Sequence, residues 1–583
     1  MRRAIATVSL SGTLEAKLDA AARAGFDGIE LFEDDLIASP LRPAEVRARA
    51  QDLGLGIDLY QPFRDFEAVP EEVLARNLRR AEAKLALMEA LGASMVLVCS
   101  SVSPAARDDD DLAAEQLHAL AERAAARGMR VAYEALAWGR HVHDYEHSWR
   151  IVQAAGHPAL GVCLDSFHIL SRGADPSGIR AIPAEKLFFL QLADAPAMDM
   201  NLLQWSRHHR CFPRQGSFDL AAFLGHVVAA GYGGPLSLEV FNDVFRQADA
   251  ARTAVDGMRS LLVLEDALEP RLPAAPALGG HAFVELAGEP ALAALGFTRT
   301  RRHRSKPVEL WTQAGARVVL NHGEPGGPRV LAVAVESADP AASAERARAL
   351  LAPVTTPPHG PGEADLETIA APDGSAVFFC RTDAADGWLG DFVPDAPADA
   401  GAGLTGIDHV ALAHPFDAFD EAALFYRSVL GLRPHELREV PSPAGLVTSR
   451  AVSDAGGRVR LVLNVPPLEG GAQAPLQHVA FACADILATA RALRARGAPL
   501  LRVSDNYYDD LAARSELDPA VIEELRELGI LYDRSGDGEL LHLFTDLVGP
   551  GLFFEVLERR GGHDGYGHAN APVRMGAQRS ASA

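Results

Sequence analysis

Gly161-Val-Cys-Leu-Asp165-Ser-Phe-His168 is the stretch on which the fold turns. A short apolar run ends on a carboxylate, and a histidine follows three positions later. The run suits a buried strand better than a helix, and its polar residues stand at the C-terminal end. Similar β-like runs lie on both sides, at residues 4–10, 28–32, 57–61, 95–99, 130–135, 187–192 and 236–240. The segments between them carry Ala, Leu, Glu and Arg at helical spacing, as in residues 72–91. Eight strands, each followed by a helix, over about 250 residues predict a parallel (β/α)8 barrel. An open doubly wound sheet would need a glycine-rich phosphate loop after the first strand, and Ser9-Leu-Ser-Gly12 is not one.

A (β/α)8 barrel places its chemistry at the C-terminal ends of its strands. There the sequence offers Glu134 on strand five, Asp165 on strand six, Gln191 on strand seven with Asp194 beyond it, and Glu239 on strand eight. Barrel closure should gather these four oxygen donors. Three carboxylates and one amide oxygen suit a hard divalent ion, Mg2+ or Mn2+, with Co2+ as a further candidate. Without a cation, three carboxylates at close range could not all stay ionised. The plainer alternative is four separate polar residues, each satisfied near its own loop. His168 can serve as a general base at such a site, or it can orient Asp165.

The segment from Asn201 to Arg210 is polar and cationic, and includes Trp205, Ser206, Arg207, His208 and His209. Arg210 with Ser206 is a candidate clamp for an anionic substrate, because a guanidinium grips a carboxylate with two parallel hydrogen bonds. Arg64, in Tyr60-Gln-Pro-Phe-Arg64, is a second candidate. His141, His143 and His147 read as loop and helix surface.

The 583 residues carry a formal net charge of −23, which argues against nucleic acid or an anionic membrane as a partner. A small anionic substrate stays compatible through local arginines, and a homo-oligomer is left open. Cys99, Cys163, Cys211, Cys380 and Cys483 are scattered and odd in number, as expected of a reduced cytoplasm. Neither a signal peptide nor a stretch of about 20 apolar residues is present in the sequence.

Composition and patterning divide the chain into a barrel at 1–266, a Pro/Ala/Gly-rich linker at 267–280, an α+β segment at 281–394, a second linker at 395–403, a further α+β segment at 404–567, and a disordered tail at 568–583. The two α+β segments read as weak repeats of a β-α-β-β-β unit. In the second, His409, His478 and Glu555 each sit in a strand-like run. Two histidines and a carboxylate are the ligand set of non-haem Fe(II) oxygenases.

Glu134, the Asp165-Ser-Phe-His168 motif, the His208-His-Arg210 motif and Glu239 resemble the xylose isomerase-like sugar phosphate isomerase/epimerase superfamily. That resemblance implies a divalent metal on the four strand ends, although the third ligand there is often histidine where this chain has Gln191. Asp505-Asn-Tyr-Tyr-Asp-Asp-Leu511, Leu543-Phe-Thr545, Leu552-Phe-Phe-Glu555 and Gly565-Tyr-Gly567 resemble 4-hydroxyphenylpyruvate dioxygenase of the vicinal oxygen chelate superfamily. His542 stands where that family has glutamine, Asn464-Val-Pro466 where it has Asn-Glu-Pro, and Asn570-Ala571 where it has Asn-Phe. These departures disfavour dioxygenation of hydroxyphenylpyruvate but leave a second divalent metal, Mg2+ or Fe2+, at His409, His478 and Glu555.

The fusion of these parts, in this order, resembles the bacterial two-domain 3-dehydroshikimate dehydratases of quinate and shikimate catabolism. The resemblance implies a hydro-lyase that converts 3-dehydroshikimate to protocatechuate, with His168 as base, a metal at the ketone, and Arg210, Ser206, His208 and Arg64 around the substrate. Other readings are a sugar phosphate or hydroxypyruvate isomerase, a dioxygenase carried by the C-terminal half, and a C-terminal half that serves as an interaction or stabilising module.

Overall fold

The computed structural model describes residues 1–583 apart from 385, 386, 398, 467–475, 550 and 583. The chain forms two compact units, Met1–Arg271 and Leu272–Ala583.

The first unit is a closed parallel barrel of eight strands: β1 (Arg3–Ala6), β2 (Gly28–Phe32), β3 (Gly56–Phe63), β4 (Met95–Cys99), β5 (Arg130–Glu134), β6 (Leu160–Asp165), β7 (Leu187–Leu192) and β8 (Leu236–Leu238). Closure is direct, for Ile5 on β1 lies opposite Ile29 on one side and Leu238 on the other. The helices dock on this cylinder by burying apolar faces such as Ala81, Leu85, Met88, Leu117 and Leu120, and caps set where some of them begin and end. Asp109 accepts from the Leu112 N–H to start the helix Asp110–Ala125, and Gly92 ends the helix Glu71–Leu91 at φ 73°, a conformation a Cβ would oppose.

The strand expected at residues 4–10 is cut after Ala6 by a 3-10 turn, Thr7–Ser9. Two hydroxyls compete there with the strand ladder. Thr7 Oγ1 accepts from the Phe32 N–H at 3.0 Å and Ser9 Oγ from the Val240 N–H at 2.9 Å.

In the second unit, the expected repeat is visible in the strand pairing. The strand Leu278–Ala287 pairs antiparallel with Arg329–Ser337 and parallel with Ala316–Asn321, while Arg329–Ser337 runs parallel to Ala376–Cys380. The strand Leu404–Ala413 pairs in the same way with Gln477–Cys483 and Arg460–Val465, and Gln477–Cys483 runs parallel to Leu552–Arg560. The strands of the first half contribute Ala282, Phe283, Ala332, Ala334, Phe378 and Cys380 to an apolar cluster with Trp388. The corresponding strands of the second half carry His409, His478 and Glu555.

Two boundaries differ from expectation. The linker at 267–280 is shorter, because the helix Ala250–Leu268 runs into it and Leu278–Ala287 starts within it. The tail at 568–583 is ordered where it is described: a turn, His568–Asn570, leads into the helix Ala571–Ser582, while residue 583 lies outside the described residues. Polar composition suggested disorder, but Asn570 is fully buried and donates to Tyr532 O at 3.1 Å, while Arg574 lies over the Phe553 ring at 4.8 Å. Among the described residues, no helix is long and apolar enough to cross a membrane.

Candidate active site

Glu134 and Asp165 are the last residues of β5 and β6, Gln191 lies within β7, and Glu239 follows β8. All four are buried. Asp165 also caps the short helix Ser166–Leu170 by accepting from the His168 N–H at 3.1 Å, and this swings the imidazole back over the rim. His168 Nε2 then lies 3.9 Å from Glu134 Oε1 and 3.8 Å from Asp165 Oδ2, and the ligand atoms of Glu134, Asp165 and His168 fall within 4.8 Å of one another.

Arg210 enters this group from beyond the helix Leu202–His208. Its Nη1 donates to Asp165 Oδ2 at 2.8 Å and Glu239 Oε2 at 3.0 Å, its Nε and Nη2 donate to Ser206 Oγ, and its plane lies 4.6 Å over the Phe167 ring. Deeper in the barrel, Gln61 Nε2 bridges Glu30 Oε2 and Glu239 Oε1, each at 2.9 Å, Gln191 Nε2 donates to Glu30 Oε2 at 2.6 Å, and Ser237 Oγ donates to Glu30 Oε1. Two thiols complete the wall: Cys99 Sγ lies 3.3 Å from Glu134 Oε2 and Cys163 Sγ 3.3 Å from Gln191 Oε1.

A second cluster lies in the C-terminal unit. His409 Nε2 and His478 Nε2 are 3.1 Å apart, and Glu555 Oε2 is 3.4 Å from the first and 3.3 Å from the second. His409 Nδ1 is held by Asp408, which is itself paired with Arg559 and Arg460. This support fixes the ring so that Nε2 faces the cluster.

Residues 18–261 match the family model of the xylose isomerase-like TIM barrel, and residues 406–521 that of the Glyoxalase/Bleomycin resistance protein/Dioxygenase superfamily. A 3-dehydroshikimate dehydratase of Pseudomonas aeruginosa is 46% identical over 100% of this chain and 99% of the relative. The chain belongs to the 3-dehydroshikimate dehydratase family. A second family member, from Pseudomonas putida, is 44% identical over 100% of the chain and 98% of its own length. A solved xylose isomerase-like TIM barrel/4-hydroxyphenylpyruvate dioxygenase fusion protein superposes with a TM-score of 0.91 at 42% identity, covering 100% of both chains.

The electrostatics of this dehydratase-family barrel bear on whether a cation fits. Glu134 Oε1 is buried without a hydrogen-bond partner among the described residues. Burial, then the charges of Glu239 and Asp165, push its carboxyl well above the usual range. Burial and Glu239 do the same to Glu30, and burial lifts Glu239 to about 7 against the pull of Arg210. For Asp165 burial acts upward, but Arg210 and His168 outweigh it and hold the carboxyl low. Burial brings His168 down to about 4, with Arg210 adding to the effect and Asp165 opposing it, so the ring is neutral near pH 7. An unpartnered carboxylate oxygen among like charges, with one guanidinium as the close counter-ion, is a donor set that a hard divalent ion fits.

The structure revises two sequence-based roles in this family member. Arg210 and Ser206 do come together, but the guanidinium is wholly buried and engaged by Asp165 and Glu239, so it does not stand free to clamp a carboxylate. His208 pairs with Asp243 at 2.8 Å on a partly exposed surface. Arg64 is exposed and makes no hydrogen bond or ion pair among the described residues, yet its charge reaches Glu239 and Cys99. Gln191 lies deeper than Glu134 and Asp165, with its amide on Glu30 and Cys163. Sequence reading passed over Glu30 and Gln61. The signal was present, because Gly28-Ile-Glu-Leu-Phe32 sets a carboxylate in an otherwise apolar strand.

Proposed function

We propose that this chain eliminates water from 3-dehydroshikimate to give protocatechuate at the C-terminal rim of the barrel. Family membership supports the substrate. The observation that carries the chemistry is the unpartnered Glu134 Oε1 beside Asp165 and His168. Glu134, Asp165, Glu239 and, once its Oε1 leaves Cys163, Gln191 would hold Mg2+ or Mn2+, with Co2+ as a substitute. When bound, such an ion polarises the ring ketone and offsets charge on the oxygen as it becomes an enolate.

The chain's own groups divide the remaining work. Arg64, unpaired at the rim, receives the substrate carboxylate. Arg210 keeps Asp165 ionised and holds Glu239 in place. His168 moves the proton. It takes the C4 proton α to the ketone and passes it to the C5 hydroxyl, which leaves as water, and loss of a C6 proton with protonation of the ketone oxygen completes the aromatic ring. Trp138, whose ring centroid is 5.0 Å from that of His168, shields the imidazole on one side.

One observation favours a second role for His168. Its Nδ1 accepts from the Ala137 N–H at 3.1 Å, while Arg210 Nη2 lies 3.3 Å from Nε2. A neutral imidazole has one lone pair to share between these donors. With Nε2 bare the ring is a base; with Nδ1 bare it is an acid, suited to protonate the leaving hydroxyl. Exchange at C4 in D2O separates the two: His168→Gln stops the exchange if His168 is the base, and leaves it intact while blocking dehydration if His168 is the acid.

We read the C-terminal cluster as a second divalent-cation site, for Mg2+ or Fe2+, on the strength of its converging Nε2 and Oε2 atoms. The five buried cysteines, scattered along the chain and odd in number, fit a protein of the reducing cytoplasm. The deciding experiment is a metal-reconstituted assay with 3-dehydroshikimate under nitrogen, followed by catechol absorbance. Catechol should form at the rate seen in air. No product with Mg2+, Mn2+ or Co2+ would sink the dehydratase reading, and a requirement for O2 would move the chemistry to the C-terminal half.

A further inference from the structure

Glu555 turns Oε2 to His409 and His478, but its other oxygen is also engaged: His542 Nδ1 lies 2.7 Å from Oε1. On the far side of that ring, Asn570 Nδ2 lies 2.9 Å from His542 Nε2 and also donates to Tyr532 O at 3.1 Å. An amide nitrogen only donates, so His542 Nε2 accepts and its proton stands on Nδ1, aimed at the carboxylate. Glu555, His542 and Asn570 are 3%, 1% and 0% exposed, so water does not compete for these contacts.

Asn570 directly precedes the helix Ala571–Ser582, and the chain reaches it by passing tightly over the imidazole. Gly567 has φ 63°, and a Cβ there would come within 2.4 Å of His542 Cε1. A further contact ties the helix to the same cluster: the Arg574 guanidinium lies 4.8 Å over Phe553, whose ring stacks on His478 at 4.7 Å. Two ligands of the cluster are therefore reached from the C-terminal segment through one intervening side chain each.

We propose that His542 is a positioning residue for the second divalent-cation site, and that through Asn570 it couples cation binding to docking of the C-terminal helix. The proposal rests on reading His409, His478 and Glu555 as a cation site. A carboxylate with Oε1 held by a donor is kept in one orientation, with Oε2 turned toward a cation between the histidines. A helix that undocks removes Asn570, frees the imidazole to rotate, and releases Glu555. Coupling of this kind is reciprocal, so the cation should hold the helix as the helix holds the site.

The test uses the full-length protein titrated with Co2+ and followed by its visible absorption, with His409→Ala subtracted to isolate the second site. Amide hydrogen exchange across residues 566–582 is measured with and without the cation. His542→Ala should weaken Co2+ binding at this site by about 10–100-fold. His542→Asn, whose amide can replace the Nδ1 donor but cannot reach Asn570, should recover most of that affinity. The cation should slow exchange of the tail in the wild type, but not in His542→Asn or Asn570→Ala. Circular dichroism and barrel activity report whether each variant is folded. If His542→Ala and Asn570→Ala bind Co2+ as the wild type does, and the tail exchanges at one rate with or without it, the proposal falls while the cation site stands. A wild-type titration that matches His409→Ala removes the site itself, and the proposal with it.

Discussion

Arg210 and Asp165 form an ion pair of 2.8 Å in which both side chains are out of contact with solvent. The same guanidinium nitrogen reaches Glu239, so one buried cation serves two strand ends. Removing it leaves those carboxylates without their close counter-charge. Arg210→Met should lower barrel stability by about 3–5 kcal/mol in metal-free protein. Mg2+ or Mn2+ should return part of the loss, as read from denaturant unfolding with and without the ion.

Glu134 should behave in the opposite sense. Its Oε1 has no partner and its neighbours repel it, so the metal-free protein gains little from its charge. Glu134→Gln should leave metal-free stability unchanged or raise it by about 1 kcal/mol, while catechol formation falls by about 10²-fold or more. Equal losses of stability and activity would show that the carboxylate serves folding rather than the site.

Glu67 provides a pH dependence outside the Glu134, Asp165 and His168 group. Burial lifts its carboxyl from 4.5 to about 7, although Ser101 N–H and Tyr133 O–H donate to it. Between those values the folded chain keeps a proton that the unfolded chain has lost. Stability therefore falls as pH rises through the folded value, by on the order of 3 kcal/mol. Glu67→Gln should flatten this loss between pH 5 and pH 8, measured by urea unfolding across that range.

Arg64 should separate binding from chemistry. Arg64→Ala removes an exposed guanidinium that has no ion pair among the described residues. KM for 3-dehydroshikimate should rise about 10–100-fold with kcat little changed. A fall in kcat at constant KM would instead place Arg64 in the transition state.

Stripping the protein with a chelator should abolish activity and lower the temperature at which the barrel unfolds. Ligand present at 100 times its dissociation constant contributes about 2.7 kcal/mol. Mn2+ added back should restore both quantities together, and recovery of stability without activity would point to the C-terminal cluster as the ion's main site.

Much of the fold was legible because period and punctuation agree. Three barrel strands, Gly28–Phe32, Met95–Cys99 and Leu187–Leu192, carry the bounds read from sequence. The first strand was overread because Thr7 and Ser9 prefer side-chain bonds to the ladder, which β-propensity does not register. The tail was misread because Asn570 and Arg574 owe their order to partners distant in sequence. At the site, strand-end logic located Glu134, Asp165 and Glu239. It could not tell that Arg210 would turn inward to Asp165 rather than outward to a ligand, because that choice depends on how many carboxylates the closed barrel brings together. Glu30 escapes strand-end logic because it stands mid-strand in Gly28–Phe32, two residues before the strand's C-terminal end.

Cys99 and Cys163 line the same wall as Glu134 and Gln191, and burial raises both thiols well above their ordinary range. They stay protonated at neutral pH and so offer no thiolate. To a hard ion, a rim that contains sulfur therefore presents its oxygens first. Cadmium or another thiophilic ion would have to displace a proton from a buried thiol to gain a sulfur ligand, so its capture should release protons and strengthen as pH rises, a signature that Mg2+ or Mn2+ on the carboxylates would lack.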